Sequence, residues 1–203
     1  MKPIIFSGPM VRAILEGNKT QTRRALRSQP PDWATGHDDV WPWVHFTGAD
    51  PFHGNPVMWT AKCPYGEPGN HLWVRETFAY YYAGPNFTGN TGKVYYKADG
   101  DLSDRVKERD CVEPRWRPSI FMPRWASRIT LEIISVRVER VQDISHEDAL
   151  AEGIDPDAPL NNYGTGSAHR DTFAELWDSI NAKRGYSWDS DSWVWVIEFK
   201  QTN

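Results

Sequence analysis

The chain has 203 residues, of which 39% are hydrophobic and 25% are charged, and its net charge is −4. This composition supports a buried core and excludes global disorder, while the acidic balance argues against a protein that coats long stretches of nucleic acid. The length favours a single domain over residues 1–203 that carries an insertion.

Localisation and redox chemistry are bounded by what the sequence lacks. It shows no charged-then-apolar leader and no apolar run of bilayer length, so we expect a cytoplasmic protein without membrane partners. Its two cysteines, Cys63 and Cys111, stand far apart and in no CxxC pair. This spacing indicates neither a disulfide framework nor a cysteine zinc site.

The N-terminal region predicts a short strand at residues 3–6 and then a helix. Pro9 suits the first helical turn, and an apolar face follows at i, i+3 and i+4 through Val11, Ile14 and Leu15. Gly17 stands where a left-handed helix terminator belongs. We expect the polar segment that follows, from Lys19 to Arg24, to cross the surface as an irregular strand.

Residues 28–66 differ in texture from the rest of the chain. They are rich in Trp, Pro, Gly and His and show neither a helical nor a strand period, which indicates a long insertion or loop. Their tryptophans favour packing over disorder. His37, His45 and His53 match no standard metal motif, so we expect packing or surface histidines. A second, charged loop is expected at about 100–114.

Strand patterns follow the insertion. Residues 71–82 predict a strand with a hairpin partner at 93–96. Residues 128–141 alternate, but the apolar phase slips near Ile134, where a β-bulge would keep Val136 and Val138 buried beside Ile134 itself. The last strand is expected at 192–199, within reach of the first.

Two further helices complete the inventory. Ser145 and Asp148 predict a helix N-terminus with a capping box, and Gly153 ends this short helix. A second helix is predicted over 171–182. Five or six strands with short helices indicate a mainly β (α+β) fold, built as a small bulged barrel with helices over its ends.

The segment after the first helix concentrates reactive groups. It holds an amine (Lys19), hydroxyls including that of Thr22, and the guanidiniums of Arg23 and Arg24. A hydroxyl beside an amine suits a nucleophile and its base, and guanidiniums bind phosphates or carbonyl oxygens. A solvated basic turn has the same composition, so the chemistry alone leaves both interpretations open.

Three motifs stand out along the chain. They are a Gly-x-Lys-x-x-Thr-x-Arg pattern (Gly17, Lys19, Thr22, Arg24), an Ala-x-x-Glu-Gly helix end (Ala149, Glu152, Gly153) and a terminal strand (Trp195, Val196, Ile197, Glu198, Phe199). Together they resemble the ASCH superfamily, a PUA-like β-barrel fold associated with RNA and modified nucleosides. A further stretch, Glu67 to Glu76, is similar to the family's Pro-Gly-Asp-x-Leu-x-Val segment, with Asn70 in place of Asp. The stretch Arg115 to Ala126 resembles longer members carried by phages and prophages.

The resemblance implies an amidohydrolase that removes the acetyl group from N4-acetylcytidine. The family's catalytic residues fall on Lys19, Thr22 and Glu152, and no metal or cofactor is implied. Thr22 would attack the acyl carbon, Lys19 would accept its proton, and Glu152 would position water or protonate the cytosine N4. Arg24 would stabilise the oxyanion or anchor a phosphate, and Arg23 would help to lower the pKa of Lys19.

A wider set of residues is expected to bind substrate. Alternation along the predicted strand places Trp73 and Arg75 on one face and Glu76 on the other, where Glu76 would be a second acid in the pocket. The expected substrate is a modified cytosine nucleoside or RNA. The full set of binding residues is Arg23, Arg24, Trp73, Arg75, Glu76 and Arg117.

Other functions remain open at this level. Lys19 and Glu152 would also suit a plain ion pair that ties the helix to the barrel. Abundant tryptophan and a second basic segment would suit a module that reads RNA or a modified base without turnover. A ribonuclease would depend on Arg115, Arg117 and Arg124 for phosphate contact.

Overall fold

The computed structural model of the chain describes residues 1–40, 43–80, 93–101, 115–157 and 167–202. This part of the chain is mainly β with three short helices, as the sequence predicts. The helices are α1 (Gly8–Leu15), α2 (His146–Ala151) and α3 (Ala168–Asn181). The strands are β1 (Lys2–Ile5), β2 (Gln21–Ala25), β3 (Ala34–Val40), β4 (Trp43–Ala49), β5 (Pro56–Lys62), β6 (His71–Arg75), β7 (Phe78–Tyr80), β8 (Val94–Tyr96), β9 (Thr130–Arg140) and β10 (Trp193–Thr202).

The central sheet has five strands in the order β1-β6-β9-β10-β2. β1 pairs with β6 in parallel, and the other neighbours are antiparallel. The sequence allows the first strand to pair with the last, but among the described residues β1 pairs with β6, and β10 lies between β9 and β2. Among the described residues β1 and β2 are therefore open edges, and the predicted closed barrel is not seen.

The predicted bulge in β9 is confirmed. Ser135 pairs with Glu198 and Ile133 pairs with Phe199, so Ile134 is an extra residue without a partner in β10. Ile134 is 46% exposed, whereas Ile133 and Val136 are buried. The expectation that Ile134 is buried is wrong, because Ile134 is the unpaired bulge residue at which the alternation of buried and exposed positions shifts by one.

The central sheet is buried on both faces. Along β10, Trp195 and Ile197 enter one hydrophobic core, which also contains Val11 of α1. Val194 and Val196 enter a second core with residues of α2 and α3. Alternate residues of one strand thus serve two cores, and this explains why β10 reads as a continuous apolar run.

The insertion at 28–66 is not a long loop. β3, β4 and β5 form an antiparallel three-stranded sheet, and Phe46 of β4 is fully buried in the first core. Trp33 and Trp59 pack against the same core, which confirms the expected packing role of tryptophan in this region. The strand period was missed because β5 alternates between exposed and only partly buried residues, so its hydrophobic contrast is weak.

A small two-stranded sheet follows β6. β7 pairs with β8, which confirms the predicted hairpin partners. The single strand expected over 71–82 is divided at Glu76 and Thr77, and residues 81–82 lie outside the described residues. Of the charged loop expected at 100–114, residues 102–114 also lie outside them.

The connection from α1 to β2 sets up the candidate site. Val11 and Ile14 are buried as predicted, and Gly17 has the left-handed φ of +79° that ends the helix. The prediction that residues 19–24 cross the surface is wrong, since Lys19 and Gln21–Arg23 are all buried. Ion pairs with α2 and β9 make this burial possible, and hydropathy does not reveal them.

The predicted helix start at Ser145 is confirmed. Its Oγ accepts a hydrogen bond from the Asp148 N–H at 3.0 Å. α3 begins at Ala168, three residues before the predicted start at 171, and buries Phe173 and Trp177. Within the described ranges, no helix is long and apolar enough to cross a membrane.

Candidate active site

Backbone pairing brings Lys19 beside the end of α2. Lys19 and Glu152 form an isolated antiparallel bridge, and the Thr20 N–H donates to the Ala151 carbonyl at 2.9 Å. Gly153 makes the close approach possible. It has a φ of +86°, and a Cβ at this position would lie 3.1 Å from the Cβ of Lys19. The Glu-Gly end of α2 therefore presents Glu152 to Lys19 and leaves room for it.

Lys19 and Glu152 form a buried ion pair. The Lys19 Nζ donates to Glu152 Oε2 at 2.6 Å and to the Glu152 carbonyl oxygen at 2.6 Å. The side chains are 0% and 4% exposed. Burial lowers the pKa of the Lys19 amine below its ordinary value of 10.5; Arg24 and Arg23 act in the same direction, against the Glu152 carboxylate. The neutral amine is thus easier to reach than in an exposed lysine.

Arg23 is held by three carboxylates. Its side chain is fully buried; Nη1 donates to Glu152 Oε1 at 3.3 Å and Nη2 to Asp148 Oδ2 at 2.8 Å. Nε donates to Glu139 Oε1 at 2.9 Å. Arg23 therefore donates to one oxygen of the Glu152 carboxylate and Lys19 donates to the other. These two contacts fix the orientation of the carboxylate.

The contacts follow the periods of the two elements. Gln21 and Arg23 lie two residues apart and project from the same side of β2. Asp148 and Glu152 lie four residues apart on one face of the α2 turn and its end. Gln21 Nε2 donates to Asp148 Oδ1 at 2.9 Å, in line with the Arg23 contacts above. The side of β2 that carries Gln21 and Arg23 thus binds the acidic face of α2 and its C-terminal end.

A cleft of about 640 Å³ opens beside this ion cluster. Thr22, Arg24 and Glu152 all line it, and Lys19 reaches it only through its contact with Glu152. We call it the threonine cleft. The remaining residues of its wall are Ile5, Phe6, Ser7, Met10, Arg23, Ala25, Arg27, Tyr65, Thr77, Ser119, Phe173, Leu176, Trp177, Ile180, Asn181, Arg184 and Tyr186.

Arg24 is the cation positioned to meet a ligand in the threonine cleft. Its Nη2 donates to the Ile5 carbonyl at 2.7 Å, and its guanidinium lies 5.2 Å from the Phe6 ring centre. Its Nε is buried and has no hydrogen-bond partner among the described residues. Burial lowers the pKa of this guanidinium, with a further contribution from Arg184. Arg24 therefore adds a positive charge to the wall of the cleft, beside Glu152.

Four predicted binding residues lie elsewhere. Trp73 and Arg75 stack on each other, with the guanidinium 4.7 Å from the ring centre, and Arg117 lies 4.3 Å from the Tyr80 ring centre. Glu76 accepts two hydrogen bonds from Arg128. None of these four described residues lines the threonine cleft, so the structure brings together Lys19, Thr22, Arg23, Arg24 and Glu152 and separates the others from them.

The histidines of the insertion have separate neighbours. The His37 ring makes an edge contact with the Trp193 ring, and His53 Nδ1 lies 2.7 Å from Asp50 Oδ2. Among the residues that the structure describes, no group of three His, Cys, Asp or Glu side chains could hold a metal ion.

Sequence reasoning missed several residues of this site. Asp148 was assigned only a capping role, although its spacing of four from Glu152 is a readable signal for a shared helix face. Arg27 belongs to none of the motifs that the sequence singles out. Tyr65, Trp177 and Arg184 reach the threonine cleft from distant segments, and no local pattern marks such contacts.

The comparisons with known proteins leave the family open. No protein family model and no curated protein matches the chain. The chain resembles the crystal structure of protein EF3133 from Enterococcus faecalis V583, described under family model DUF984. Sequence identity is 10% and the TM-score is 0.42, with 100% of this chain and 81% of that chain covered. At this score the likeness carries no argument about fold family or activity.

Proposed function

We propose that this chain is an ASCH-type amidohydrolase that removes the acyl group from an N4-acylated cytosine nucleoside. The observation that carries the proposal is the buried Lys19–Glu152 pair, whose Glu152 lines the same cleft as Thr22 and Arg24. A PUA-like barrel is part of the same proposal. The Arg24 to Ile5 hydrogen bond supports it, because it links the open edge strand β2 to the end of β1.

The first half of the reaction uses Thr22 as nucleophile. Its Oγ bonds to the acyl carbon while its proton passes to the Lys19–Glu152 pair, which accepts it when the amine is neutral and the carboxylate is charged. Burial lowers the pKa of Lys19, which makes this state easier to reach than it is for an exposed lysine. Arg24 donates to the acyl oxygen as negative charge develops there.

The second half releases both products. The pair returns its proton to N4 as the C–N bond breaks, so cytidine leaves and the acyl group stays on Thr22 as an ester. Water then attacks the ester carbon, its proton passes to the pair, and the Thr22 oxygen recovers a proton as the carboxylic acid departs. Each step needs only groups that line the cleft or contact Glu152.

The cleft also suits the proposed substrate in size and character. Its volume of about 640 Å³ falls within the range of about 300–1,000 Å³ that is typical of small-ligand sites. Aromatic walls from Phe6, Trp177 and Tyr186 suit a nucleobase, and Asn181 and Arg184 supply polar groups for a sugar or phosphate.

The test is a chromatographic assay of purified protein with N4-acetylcytidine. Wild type should release cytidine, and Thr22→Val, which keeps a β-branched side chain but removes the hydroxyl, should lose turnover by roughly 10⁴-fold or more. Thr22→Ser is the matched control and should retain measurable activity. Full activity in Thr22→Val would refute the nucleophile, and no turnover by wild type would refute the substrate.

A reader without catalysis is the second candidate. Lys19 has a carboxylate and a carbonyl within 2.6 Å, as in a structural ion pair. This candidate predicts binding of a modified base without product formation by any variant. The ribonuclease alternative receives less support, since Arg117 and Arg124 are absent from the described wall of the threonine cleft.

A further inference from the structure

A second cleft adjoins the threonine cleft and has a distinct chemical character. It has a volume of about 700 Å³ and lies between the edge strands of the central sheet and β5 of the insertion. We call it the basic groove. It is lined by Lys2, Pro3, Ala25, Leu26, Arg27, Ser28, Trp59, Thr60, Ala61, Lys62, Pro64, Tyr65 and Trp195.

The two clefts share part of their walls. Ala25, Arg27 and Tyr65 line both of them. The Tyr186 hydroxyl, from the wall of the threonine cleft, donates to the Arg27 carbonyl at 3.0 Å and anchors the shared segment. The two clefts are therefore neighbours that meet at Arg27, and a ligand longer than a nucleoside has both within reach.

The lining of the basic groove favours anions. It contains three cations, Lys2, Arg27 and Lys62, and its described lining residues include no carboxylate. Lys2 Nζ donates to the carbonyl of Pro64 at 2.8 Å, a contact that does not neutralise its charge. On a chain of net charge −4, such a concentration of positive charge marks a site for phosphate.

The groove also offers an aromatic surface. Trp59 is partly buried, and its ring is held by an edge contact with Phe46, with ring centres 5.4 Å apart. An indole held in this way is a suitable surface for a base, because stacking on a rigid aromatic side chain loses little conformational entropy. Phosphate-binding cations beside a stacking aromatic are the combination used to bind single strands.

We propose that the basic groove binds the nucleotide adjacent to the acylated cytosine, so that the substrate is a single-stranded nucleic acid and not a free nucleoside. The proposal rests on the function proposed above. Arg27, where the clefts meet, contacts the linking phosphate, and β5 of the insertion supplies one wall of the groove. The insertion thereby sets the substrate class.

The direct test compares three substrates in the cytidine-release assay. They are N4-acetylcytidine, its 5′-monophosphate, and a uridine trinucleotide with N4-acetylcytidine at its centre. We expect kcat/KM for the trinucleotide to exceed that for the nucleoside by about tenfold or more and to fall with added salt. Equal values for nucleoside and trinucleotide would overturn the proposal, as would a monophosphate that matches the trinucleotide.

Charge reversal at the groove sharpens the test. Lys62→Glu should lower kcat/KM for the trinucleotide about tenfold and leave the nucleoside value unchanged. Lys200→Glu is the matched control, because Lys200 is 59% exposed and pairs with Glu132 in the central sheet. Equal losses on both substrates, or the same loss in Lys200→Glu, would contradict a specific role for the groove.

A binding measurement separates this proposal from the proposed function. Fluorescence anisotropy with a labelled single-stranded uridine hexamer needs no turnover. Tighter binding by wild type than by Lys62→Glu, with Lys200→Glu unchanged, would support the groove even if no substrate were hydrolysed. Equal binding by all three proteins would overturn the groove even if N4-acetylcytidine were hydrolysed.

Discussion

Two ion clusters with buried carboxylates can be compared in this protein. The first, which we call the Glu152 cluster, contains Lys19, Arg23, Glu139, Asp148 and Glu152. The second, the Glu76 cluster, contains Glu76, Asp99 and Arg128. Each surrounds an acid that the sequence singled out, with an exposure of 4% for Glu152 and 1% for Glu76.

Their surroundings differ. The Glu152 carboxylate lines a cleft with a threonine and an arginine whose Nε has no partner among the described residues. Glu76 accepts a hydrogen bond from Arg128, whose guanidinium lies 4.0 Å from the Tyr96 ring centre. Glu76 lines neither of the two clefts described above. Burial raises the pKa of Glu76, against the effect of Arg128, so its acidity is perturbed as well. A perturbed acid therefore marks a candidate site only when a cavity and reactive neighbours accompany it.

The largest contrast should come from neutralising the two acids. Glu152→Gln should lower kcat/KM on N4-acetylcytidine by roughly 10²–10⁴-fold, because the pair can no longer accept and return a proton. Glu76→Gln should stay within about threefold of wild type, since it contacts no reacting atom. A comparable loss in both variants would mean that the two clusters do not differ in role.

The pH dependence of kcat/KM should report on the Lys19 amine of the Glu152 cluster. Below the pKa of the Lys19 amine, kcat/KM should fall about tenfold per pH unit, because protonation removes the proton acceptor. Because burial lowers the pKa of Lys19, this fall in kcat/KM should begin below pH 10.5, the ordinary pKa of a lysine. Between the lowered pKa and 10.5 the unfolded chain binds more protons than the folded one, so the contribution of Lys19 to stability should rise with pH. A limb at or above 10.5 would contradict a buried, easily deprotonated amine.

Loosening the support of Glu152 should have a smaller effect. Asp148 accepts from Gln21, Arg23 and Arg137, so Asp148→Asn weakens the hold on the arginine that orients Glu152. We expect kcat to fall roughly tenfold with little change in KM, because the reacting groups are misplaced while the cleft is intact. A rise in KM at constant kcat would instead assign Asp148 to substrate binding.

The Glu76 cluster should respond in stability only. Arg128→Leu leaves the buried Glu76 carboxylate without its main partner, which should lower the free energy of unfolding in urea by roughly 2–3 kcal/mol. This loss of stability is small for a broken buried ion pair because the Arg128 side chain is 24% exposed. The deficit should shrink as the pH falls and Glu76 becomes protonated. A deficit that is the same at acidic and neutral pH would show that the charge is not its cause.

Local sequence patterns predict much of the fold. Gly17, the Ser145 cap and the bulge at Ile134 each follow from rules that act within a few residues, and each is found where the sequence predicts it. The sheet at 34–62 escaped prediction because β5 alternates only between exposed and partly buried residues. The β1–β6 pairing escaped it because the two parallel partners lie far apart in sequence.

The candidate site was predictable only in part. Of the signature residues, Lys19 does contact Glu152, and Thr22 and Arg24 line the same cleft as Glu152. Burial of a segment with so many charges, however, depends on carboxylates from β9 and α2. Sequence alternation placed Trp73, Arg75 and Glu76 correctly on a strand and its end, yet it does not report which cavity a face borders. Contacts between distant segments decide that, as Tyr65 and Arg184 show.

The most direct test replaces one cation in each cluster by methionine and measures kcat/KM on N4-acetylcytidine per folded molecule. Lys19→Met should lose roughly 10²–10⁴-fold, because an unbranched side chain of similar length remains but the amine is gone. Arg128→Met should stay within about threefold of wild type. Wild-type activity in Lys19→Met, or equal losses in the two variants, would contradict the assignment of the chemistry to the Glu152 cluster.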